Sequence, residues 1–362
     1  AYTTIDDPTV YFQTVIYTGN GTAIGSGGLT VTFPGDTDLA PGMLWIKRYD
    51  TGGDPSYHMI CDAVRGSQNR FYPNTGDAED TNVTEAVNAF TSDGWNNGNS
   101  GTNNGSGLKH VAWCWKAGTT SGIGTSGQDI TPSGYSIETT SKFGIYAYGG
   151  NGSADQQINH GLGVAPKFMI NKIRSNGDQD WHVFHIGMSS APETDYMYLN
   201  AQGAPVDRLE SWQDTLPDTT DFTLGNSNDG NQSGQTYMIY AWGEVQGFSK
   251  FGSYTGNGNA DGPMLHMGFS PAWIMCKKTS ATGDSWTILD NKRDTYNVAD
   301  SRVFADSNGN ESTSTDVGDF LSNGFKIRTT AGTWNDSGGS YMYAAFAQSP
   351  FVNSSGVPTT GR

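Results

Sequence analysis

The chain has 362 residues, with 20 Lys or Arg against 36 Asp or Glu, which gives a net charge of −16 at pH 7. This acidic balance repels phosphate backbones and anionic lipid surfaces, so it argues against nucleic-acid binding and membrane attachment. Only 35% of the residues are hydrophobic, but 17 Tyr, 16 Phe and 10 Trp bury large areas, and 49 Gly indicate many turns. The composition favours an all-β protein in which the acidic charge serves solubility or, alternatively, gathers divalent cations.

Three tandem copies of one pattern organise the sequence. Each copy opens with Tyr-x-Gly-Asn-Gly, passes a proline followed six positions later by lysine, reaches an aromatic residue, and closes with Asn-x-Ser-Gly before an apolar run. The recurring polar landmarks are Asn20, Asn151 and Asn257, then Lys47, Lys172 and Lys277, then Asn104, Asn231 and Asn335. The aromatic landmarks are Tyr57, Trp181 and Trp286. Residues kept in every copy predict a scaffold, because an active site is expected where one copy differs.

The repeat divides the chain into predicted domains. Copy one with an N-terminal arm covers 1–117, copy two 142–247 and copy three 248–351. Residues 118–141, rich in Gly, Ser and Thr, predict a linker with one strand, and 352–362 predict a flexible tail. The opening strand of one copy could complete its neighbour's sheet, which would shift these boundaries by a strand.

Short apolar runs between Gly, Asn, Asp and Ser clusters predict strands along each copy. They fall at 12–17, 29–33, 43–48, 58–62 and 109–116; at 143–148, 167–173, 181–185, 196–200 and 236–242; and at 251–254, 272–278, 286–290, 301–305, 324–329 and 340–347. The copy length suits three tandem antiparallel β-sandwich modules of jelly-roll or concanavalin-like form. The Asn-x-Ser-Gly segments are interpreted as hairpin turns before the last strand of each copy.

The cysteines and histidines predict no metal site. Cys61, Cys114 and Cys276 lie in apolar runs without zinc spacing, so we expect buried free thiols of the kind found in a reducing cytosol. His182 and His185 are three apart in a predicted strand and would point to opposite faces.

The N-terminal residues have neither a basic region nor an apolar core, and no apolar run approaches the length of a membrane span. We therefore expect no signal peptide and no membrane insertion.

Several segments together carry a resemblance to a known family: residues 2–21, 112–116, 160–168 and 248–258. They resemble a tandem β-repeat family found in virion surface and tail proteins of marine bacteriophages, mainly those of cyanobacteria and abundant ocean bacteria. The resemblance covers nearly the whole chain. It implies a non-catalytic structural protein of the virion surface, either a head decoration or a tail appendage, assembled in the host cytoplasm. It provides no catalytic residues to transfer.

The same resemblance implies other capsid or tail proteins as partners. We expect a homo-oligomer, with a trimer as one option. The sequence contains neither heptads nor Gly-x-y triplets, so a compact decoration or appendage subunit is favoured over a long fibre.

Tryptophans near polar turns suggest an alternative function. Sugar rings stack on exposed aromatic side chains, and Asn and Asp loops bind their hydroxyl groups. Trp95 aligns with Phe222 and Phe325 and is expected in the core, whereas Trp212 and Trp334 have no counterparts in the other copies. These two are the candidate glycan-binding residues of a receptor-binding tail protein with a lectin-like site for host glycans.

One acidic turn has partial calcium-loop spacing. Asp306, Asn308 and Asn310 alternate as in such a loop, but Glu311 replaces the expected glycine and Val317 the expected glutamate. An ordinary turn is favoured, and calcium is kept as an alternative because β-sandwich loops bind it without a linear motif. No other cofactor is expected.

Two Asp-x-x-Arg pairs, Asp62 with Arg65 and Asp290 with Arg293, recur after the aromatic landmark. We predict that each locks a loop through charge-assisted hydrogen bonds, with ligand contact as the alternative. The sequence contains no P-loop, no nucleophile elbow and no carboxylate pair marked by context. We therefore predict that the protein is not an enzyme, and a depolymerase ranks third among the functions considered.

Overall fold

A computed structural model describes residues 2–35, 37–50 and 56–359 as antiparallel sheets. The described residues contain only short helical segments: four single-turn α-helices and the 3-10 turns Pro8–Val10 and Ile24–Ser26. The prediction of an all-β fold with antiparallel sheets is confirmed. Of the helices in the described ranges, none combines the length and apolar character that a bilayer crossing requires.

The described elements follow the repeat. Copy one comprises β1 (Phe12–Thr18), β2 (Leu29–Val31), β3 (Pro41–Arg48), β4 (His58–Asp62), β5 (Gly66–Phe71), β6 (Val87–Thr91), β7 (Gly94–Asn97), α1 (Gly101–Asn104) and β8 (Lys109–Lys116). Copy two, preceded by β9 (Gly134–Glu138), comprises β10 (Phe143–Gly149), β11 (Gln156–Asn159), β12 (Pro166–Ile173), β13 (His182–His185), β14 (Asp195–Tyr198), β15 (Val206–Asp207), α2 (Leu209–Trp212), β16 (Asp221–Leu224), α3 (Asn228–Asn231) and β17 (Thr236–Gly243). Copy three comprises β18 (Ser249–Thr255), β19 (Met264–His266), β20 (Phe269–Lys278), β21 (Thr287–Asp290), β22 (Val303–Phe304), β23 (Gly318–Leu321), β24 (Gly324–Ile327), α4 (Gly332–Asn335) and β25 (Ser340–Pro350).

Each copy has one large and one small antiparallel sheet. The large sheets run β1-β8-β3-β4-β5, β15-β14-β13-β12-β17-β10-β9 and β18-β25-β20-β21-β22. All three therefore contain the same four neighbouring strands in the same order. These are the strand that opens the copy (β1, β10, β18), the strand that closes it (β8, β17, β25), the strand with the landmark proline (β3, β12, β20) and the strand at the aromatic landmark (β4, β13, β21). The small sheets run β2-β7-β6, β11-β16 and β19-β24-β23. Within each copy, apolar residues of both sheets form a separate core, in which Trp95, Phe222 and Phe325 occupy equivalent places as predicted.

The other faces of the three large sheets meet in one central core. Trp115 of copy one lies there with its ring centroid 5.9 Å from that of Trp242 in copy two and 5.8 Å from that of Trp273 in copy three. Each large sheet is therefore covered on both faces, as in sheets whose strands are continuously apolar. Accordingly, β3 and β20 are buried along their whole length.

Equivalent hydrogen bonds join successive copies in the same direction. The indole Nε1 of Trp181 in copy two donates to the Tyr72 carbonyl of copy one at 3.3 Å. The indole Nε1 of Trp286 in copy three donates to the Tyr198 carbonyl of copy two at 2.9 Å. Copy two thus holds copy one as copy three holds copy two.

His58 closes this chain of contacts into a ring. Its Nε2 lies 2.9 Å from the carbonyl oxygen of Phe304 in copy three. Its position is equivalent to that of the two tryptophans, because the backbone amides of all three residues donate to matching side-chain oxygens: His58 to Asn74, Trp181 to Asn200 and Trp286 to Asp306. The choice of Tyr57 as the aromatic landmark of copy one was therefore wrong by one residue. Tyr57 precedes β4 and is 44% exposed.

The Asn-x-Ser-Gly segments are not hairpin turns. In copy one the segment lies between β7 of the small sheet and β8 of the large sheet, and the other copies repeat this arrangement. A hairpin joins neighbouring strands of one sheet, whereas these turns carry the chain from one sheet to the other. The prediction failed because Asn and Gly favour both kinds of turn.

The segments predicted as linker and tail make defined contacts. Within 118–141, β9 pairs with β10, and Ile123, Ile130 and Ile137 pack into the core of copy two. In the C-terminal segment, the backbone amide of Ser354 donates to the Asp6 carboxylate at 2.6 Å. The exact domain boundaries stay a prediction.

Candidate functional site

The asparagine landmarks hold each copy's two turns together. In copy three, the buried Asn335 accepts a hydrogen bond from the Asn257 backbone amide at 2.8 Å and donates to the Asn257 side chain at 3.1 Å. Asn104 with Asn20, and Asn231 with Asn151, repeat both bonds. These contacts support the predicted scaffold role of the asparagines, which stays a prediction. In all three copies the side-chain amides are engaged in bonds within the fold.

The three landmark lysines are fully buried, and two of them contact a neighbouring copy. Nζ of Lys47 donates to the carbonyl of Asn308 in copy three at 3.0 Å, and Nζ of Lys172 to that of Gly76 in copy one at 2.9 Å. Nζ of Lys277 instead donates to its neighbour's carbonyl, that of Lys278. These contacts also support a scaffold role.

Burial disfavours the charged form of each landmark lysine. Desolvation lowers the pKa of Lys47 to about 7 and that of Lys172 to about 8, and it lowers the pKa of Lys277 as well. An amine that is neutral near pH 7 can act as a nucleophile, but these amines face backbone carbonyls inside the protein. They therefore make the stability of the fold depend on pH.

The Asp-x-x-Arg pairs lock their loops as predicted. Asp62 accepts the backbone amide of Arg65 at 2.9 Å and its guanidinium Nε, and Asp290 accepts the amide of Arg293 at 2.9 Å and its Nε at 2.7 Å. Each arginine also pairs with a glutamate, Glu79 in copy one and Glu311 in copy three. All four side chains of the two pairs are buried, so the charges are compensated within the fold.

Both pairs also receive a donor from the next copy around the ring. The Tyr240 hydroxyl of copy two donates to Asp62 at 2.7 Å, and Trp113 Nε1 of copy one donates to Asp290 at 3.2 Å. Tyr240 and Trp113 are equivalent, because each lies two residues before the central tryptophan of its closing strand. These carboxylates consequently serve the junctions between copies.

His185 replaces the aspartate at the third junction. It pairs with Phe168 in β12 as Asp62 pairs with Met43 in β3. Its Nε2 lies 3.0 Å from the Tyr343 carbonyl of copy three, and burial lowers its pKa to about 4. The neutral ring can donate to that carbonyl, so a histidine here performs the junction role that an aspartate performs elsewhere. His182, by contrast, binds the Ser211 hydroxyl within copy two.

The two candidate glycan-binding tryptophans lie in the core. Trp212 is 1% exposed and stacks on His182, with ring centroids 4.7 Å apart. Trp334 is 0% exposed and packs against Phe325. The expectation that these indoles offer exposed stacking surfaces was wrong. Trp212 is the last residue of α2 and Trp334 lies within α4, and in both helical turns the indole side chain is buried. The lack of an equivalent tryptophan in the other copies gives no information about this burial.

Two of the three calcium candidates, Asp306 and Asn308, make separate contacts within the fold. Asp306 accepts the Trp286 amide at 2.9 Å and the Gln202 side chain at 3.0 Å. The carbonyl of Asn308 accepts the Lys47 ammonium. Within the described ranges, no group of three or more His, Cys, Asp or Glu could hold a metal ion. Asp306 therefore has a structural role in these contacts. Calcium binding stays a prediction.

The prediction that the three cysteines are buried free thiols is confirmed. Cys61, Cys114 and Cys276 are free and buried. Burial raises the pKa of Cys61 and Cys276 to about 12 and that of Cys114 well above its usual value. Thiols in this state are poor nucleophiles.

The family assignment comes from comparison with known proteins. No curated protein and no solved structure matches the chain. A family described as a domain of unknown function, DUF7483, matches residues 7–350, which include all three copies and the segment between the first two. The chain belongs to the DUF7483 family.

Proposed function

We propose that this chain is a non-catalytic structural protein of a bacteriophage virion surface, either a head decoration or a tail appendage subunit. The observation that carries the proposal is the use of the repeated polar residues. The landmark asparagines, the lysines and the Asp-x-x-Arg pairs all bind other parts of the fold. A chain whose recurrent polar groups bind other parts of its own fold suits a structural role.

The resemblance of residues 2–21 and 248–258 to marine phage surface and tail repeats supplies the virion context. We further propose that each copy is a β-sandwich module of jelly-roll or concanavalin-like form. The large and small sheet of each copy, with an apolar core between them, support this proposal. Three such modules around one core would make a compact unit of the kind that decorates a particle.

The proposed partners are other capsid or tail proteins. A chain with three similar copies in a closed ring offers three similar outer surfaces, and it can therefore meet a partner with threefold symmetry without forming a trimer itself. The alternative, a lectin-like receptor-binding protein, loses the support of Trp212 and Trp334 because both are buried.

Immunogold labelling of intact particles tests the proposal. Antibody against the folded chain is applied to a purified phage that encodes it, and a matched phage lacking the gene is the control. Gold on the head supports decoration, and gold on the tail supports an appendage. If denatured virions of the encoding phage contain no trace of the chain, the proposal is wrong.

A second measurement separates structure from adhesion. Purified chain is mixed with host cells and with particles stripped of it. Binding to particles alone agrees with the structural role. Binding to cells that competing sugars abolish, without any binding to particles, would replace it with the lectin alternative.

A further inference from the structure

The opening strand is covered in copy two and open in copy one. In the seven-stranded sheet, β9 pairs with β10 along residues 134–138, and β10 is buried from Phe143 to Tyr148. In copy one the equivalent strand β1 is the edge of its sheet. Its last four residues alternate between half-buried and exposed, and Ile16 is 42% exposed. The equivalent residue of copy two, Ala147, is 4% exposed.

The outward backbone groups of β1 can be located from the repeat. Ala147 pairs with Met238 as Ile16 pairs with Val111, so the two residues have the same register against their closing strands. The carbonyl of Ala147 accepts the backbone amide of Ser133 at 2.8 Å, on the side of β9. The Ile16 carbonyl therefore points away from β8, towards the open edge. In an antiparallel strand the N–H and the C=O of one residue point to the same side, and so do those of the residue two positions along. The N–H of Ile16 and both backbone groups of Thr18 therefore also point towards the open edge.

This edge has none of the devices that prevent strands from pairing. Natural edge strands carry charges, prolines or bulges. The sequence of β1 is Phe-Gln-Thr-Val-Ile-Tyr-Thr, which is uncharged and rich in β-branched residues. The other open opening strand, β18, is different: it contains Lys250 and Gly252, and the Glu244 carboxylate accepts the outward amide of Phe251 at 3.2 Å. Of these two edge strands, only β1 lacks a charged residue and a side chain that binds an outward backbone amide.

We propose that two copies of this chain associate through antiparallel pairing of β1 with β1. A second copy fits because the uncharged strand is complementary to itself: about a twofold axis at Tyr17, Ile16 of one chain faces Thr18 of the other. Each such pair exchanges two backbone hydrogen bonds. The two five-stranded sheets then continue into one another. The inference does not depend on the virion proposal.

The length of the open edge determines the strength of the dimer. Four residues per chain bury far less than the roughly 1,200–2,000 Å² of a stable interface, so the dimer should be weak and concentration-dependent. Two chains of net charge −16 also repel each other. Added salt screens this repulsion and should strengthen the dimer.

Sedimentation equilibrium of the full chain, from micromolar to millimolar concentration, tests the proposal. We expect a monomer–dimer equilibrium that shifts towards dimer with salt. In Ile16→Pro the outward N–H is lost, at a position where an edge strand tolerates proline, and the dissociation constant should rise about tenfold or more. Ser253→Pro, at the equivalent position of β18, is the matched control and should leave the equilibrium unchanged. Urea unfolding shows whether both variants are folded.

Ile16→Lys is the second variant, should Ile16→Pro fail to fold, and it should weaken the dimer through charge at the edge. Hydrogen exchange of the unmodified chain gives a readout without mutation: the Ile16 and Thr18 amides should become protected as concentration rises. A monomer at millimolar concentration in high salt would overturn the proposal. So would assemblies larger than dimers, or a dimer that persists unchanged in the folded Ile16 variants.

Discussion

The phenol of Tyr240 donates a hydrogen bond to the Asp62 carboxylate across 178 residues of sequence, with 2.7 Å between the two oxygens. The donor belongs to copy two and the acceptor to copy one. Asp62 also binds Arg65, so the hydrogen bond completes a buried charged network between the copies. An equivalent contact from Trp113 to Asp290 shows that the junction was kept while the donor changed from phenol to indole.

Removing this junction bond should destabilise the whole chain. We expect Tyr240→Phe to lower the free energy of unfolding by about 1.5–3 kcal/mol, the range for hydrogen bonds to charged groups. In a double-mutant cycle with Asp62→Asn, the coupling energy should be about 1 kcal/mol or more in urea unfolding. Tyr146→Phe, which removes a bond to the His160 carbonyl within copy two, is the control and should show no coupling with Asp62→Asn. Zero coupling for Tyr240 would contradict the junction role.

The repeat also predicts a stabilising substitution at His110. In copies two and three, Tyr237 and Tyr341 occupy this position, and their hydroxyls each bridge a carbonyl and an amide of the neighbouring turn. His110 keeps the ring stacking on Tyr17, with centroids 5.1 Å apart, but among the described residues its ring nitrogens make only poorly aligned contacts, with the carbonyls of Leu108 and Gly101. His110→Tyr should therefore raise the free energy of unfolding by about 0.5–1.5 kcal/mol.

Tyr341→His in copy three is the reverse experiment and should lower stability by a similar amount in the same urea titration. Equal stability of all three proteins would show that the hydroxyl bridge contributes nothing.

The asparagine landmarks should be costly to remove. In Asn231→Ala the fully buried side-chain amide is lost, and the backbone amide of Asn151 and the carbonyl of Ser153 lose a partner. Because several hydrogen bonds are lost together with the packing of a buried side chain, we expect a loss of about 2–4 kcal/mol. Asn226 is exposed in the same copy, and Asn226→Ala should change stability by less than about 0.5 kcal/mol. Comparable losses at both sites would refute the scaffold role.

Stability should rise with pH between about 7 and 9. The pKa of Lys47 is lowered to about 7 and that of Lys172 to about 8 in the folded chain, whereas both return to about 10.5 on unfolding. Between these values the unfolded chain binds more protons, so raising the pH favours the folded state. Above pH 9 the trend should reverse, because the buried thiols of Cys61, Cys114 and Cys276 have a raised pKa and ionise only on unfolding. Buried tyrosines such as Tyr146, whose pKa is also raised, add to this effect above pH 10.

Thermal unfolding at a series of pH values measures this slope. Lys47→Met removes one titrating amine, and it should flatten the rise without abolishing it. Lys116→Met, at a partly exposed lysine, is the control and should keep the full slope. A falling stability between pH 7 and 9 in the unmodified chain would contradict the burial argument.

An isolated copy should not fold. Residues 142–247 alone would expose the central face of their large sheet, including Phe168, Trp242 and Tyr240. We expect this fragment to show no cooperative urea transition and to bind a hydrophobic dye, while residues 2–359 unfold cooperatively. A fragment that unfolds as a cooperative monomer would instead support independent tandem domains.

The sequence predicted the local structure of the repeat well. The strand limits 58–62 and 109–116 agree with β4 and β8, because apolar runs with clear polar flanks define them. The asparagine scaffold was also predicted, since a polar residue that recurs in three copies must satisfy a recurring backbone need. The Asp-x-x-Arg locks followed from spacing and charge alone.

The contacts between copies were not predicted. A run such as Met43 to Ile46 in β3 shows that both faces are buried, but periodicity does not say which neighbour covers each face. Periodicity likewise does not show that Trp212, at the end of α2, packs against His182 of β13. The misplaced landmark at Tyr57 has a related cause, because only the hydrogen bond from the His58 backbone amide to the Asn74 side chain identifies His58 as the equivalent residue.

The closed ring has a consequence for how the chain is made. During synthesis, His58 can contact its acceptor at Phe304 only after 246 further residues have been added. Lys47 can contact Asn308 only after 261 further residues. Until copy three leaves the ribosome, the central core that contains Trp113 and Trp115 is formed by only two of its three large sheets. Synthesis therefore ends with a late, long-range docking step, and a chain cut short within copy three leaves a tryptophan-lined surface open to aggregation.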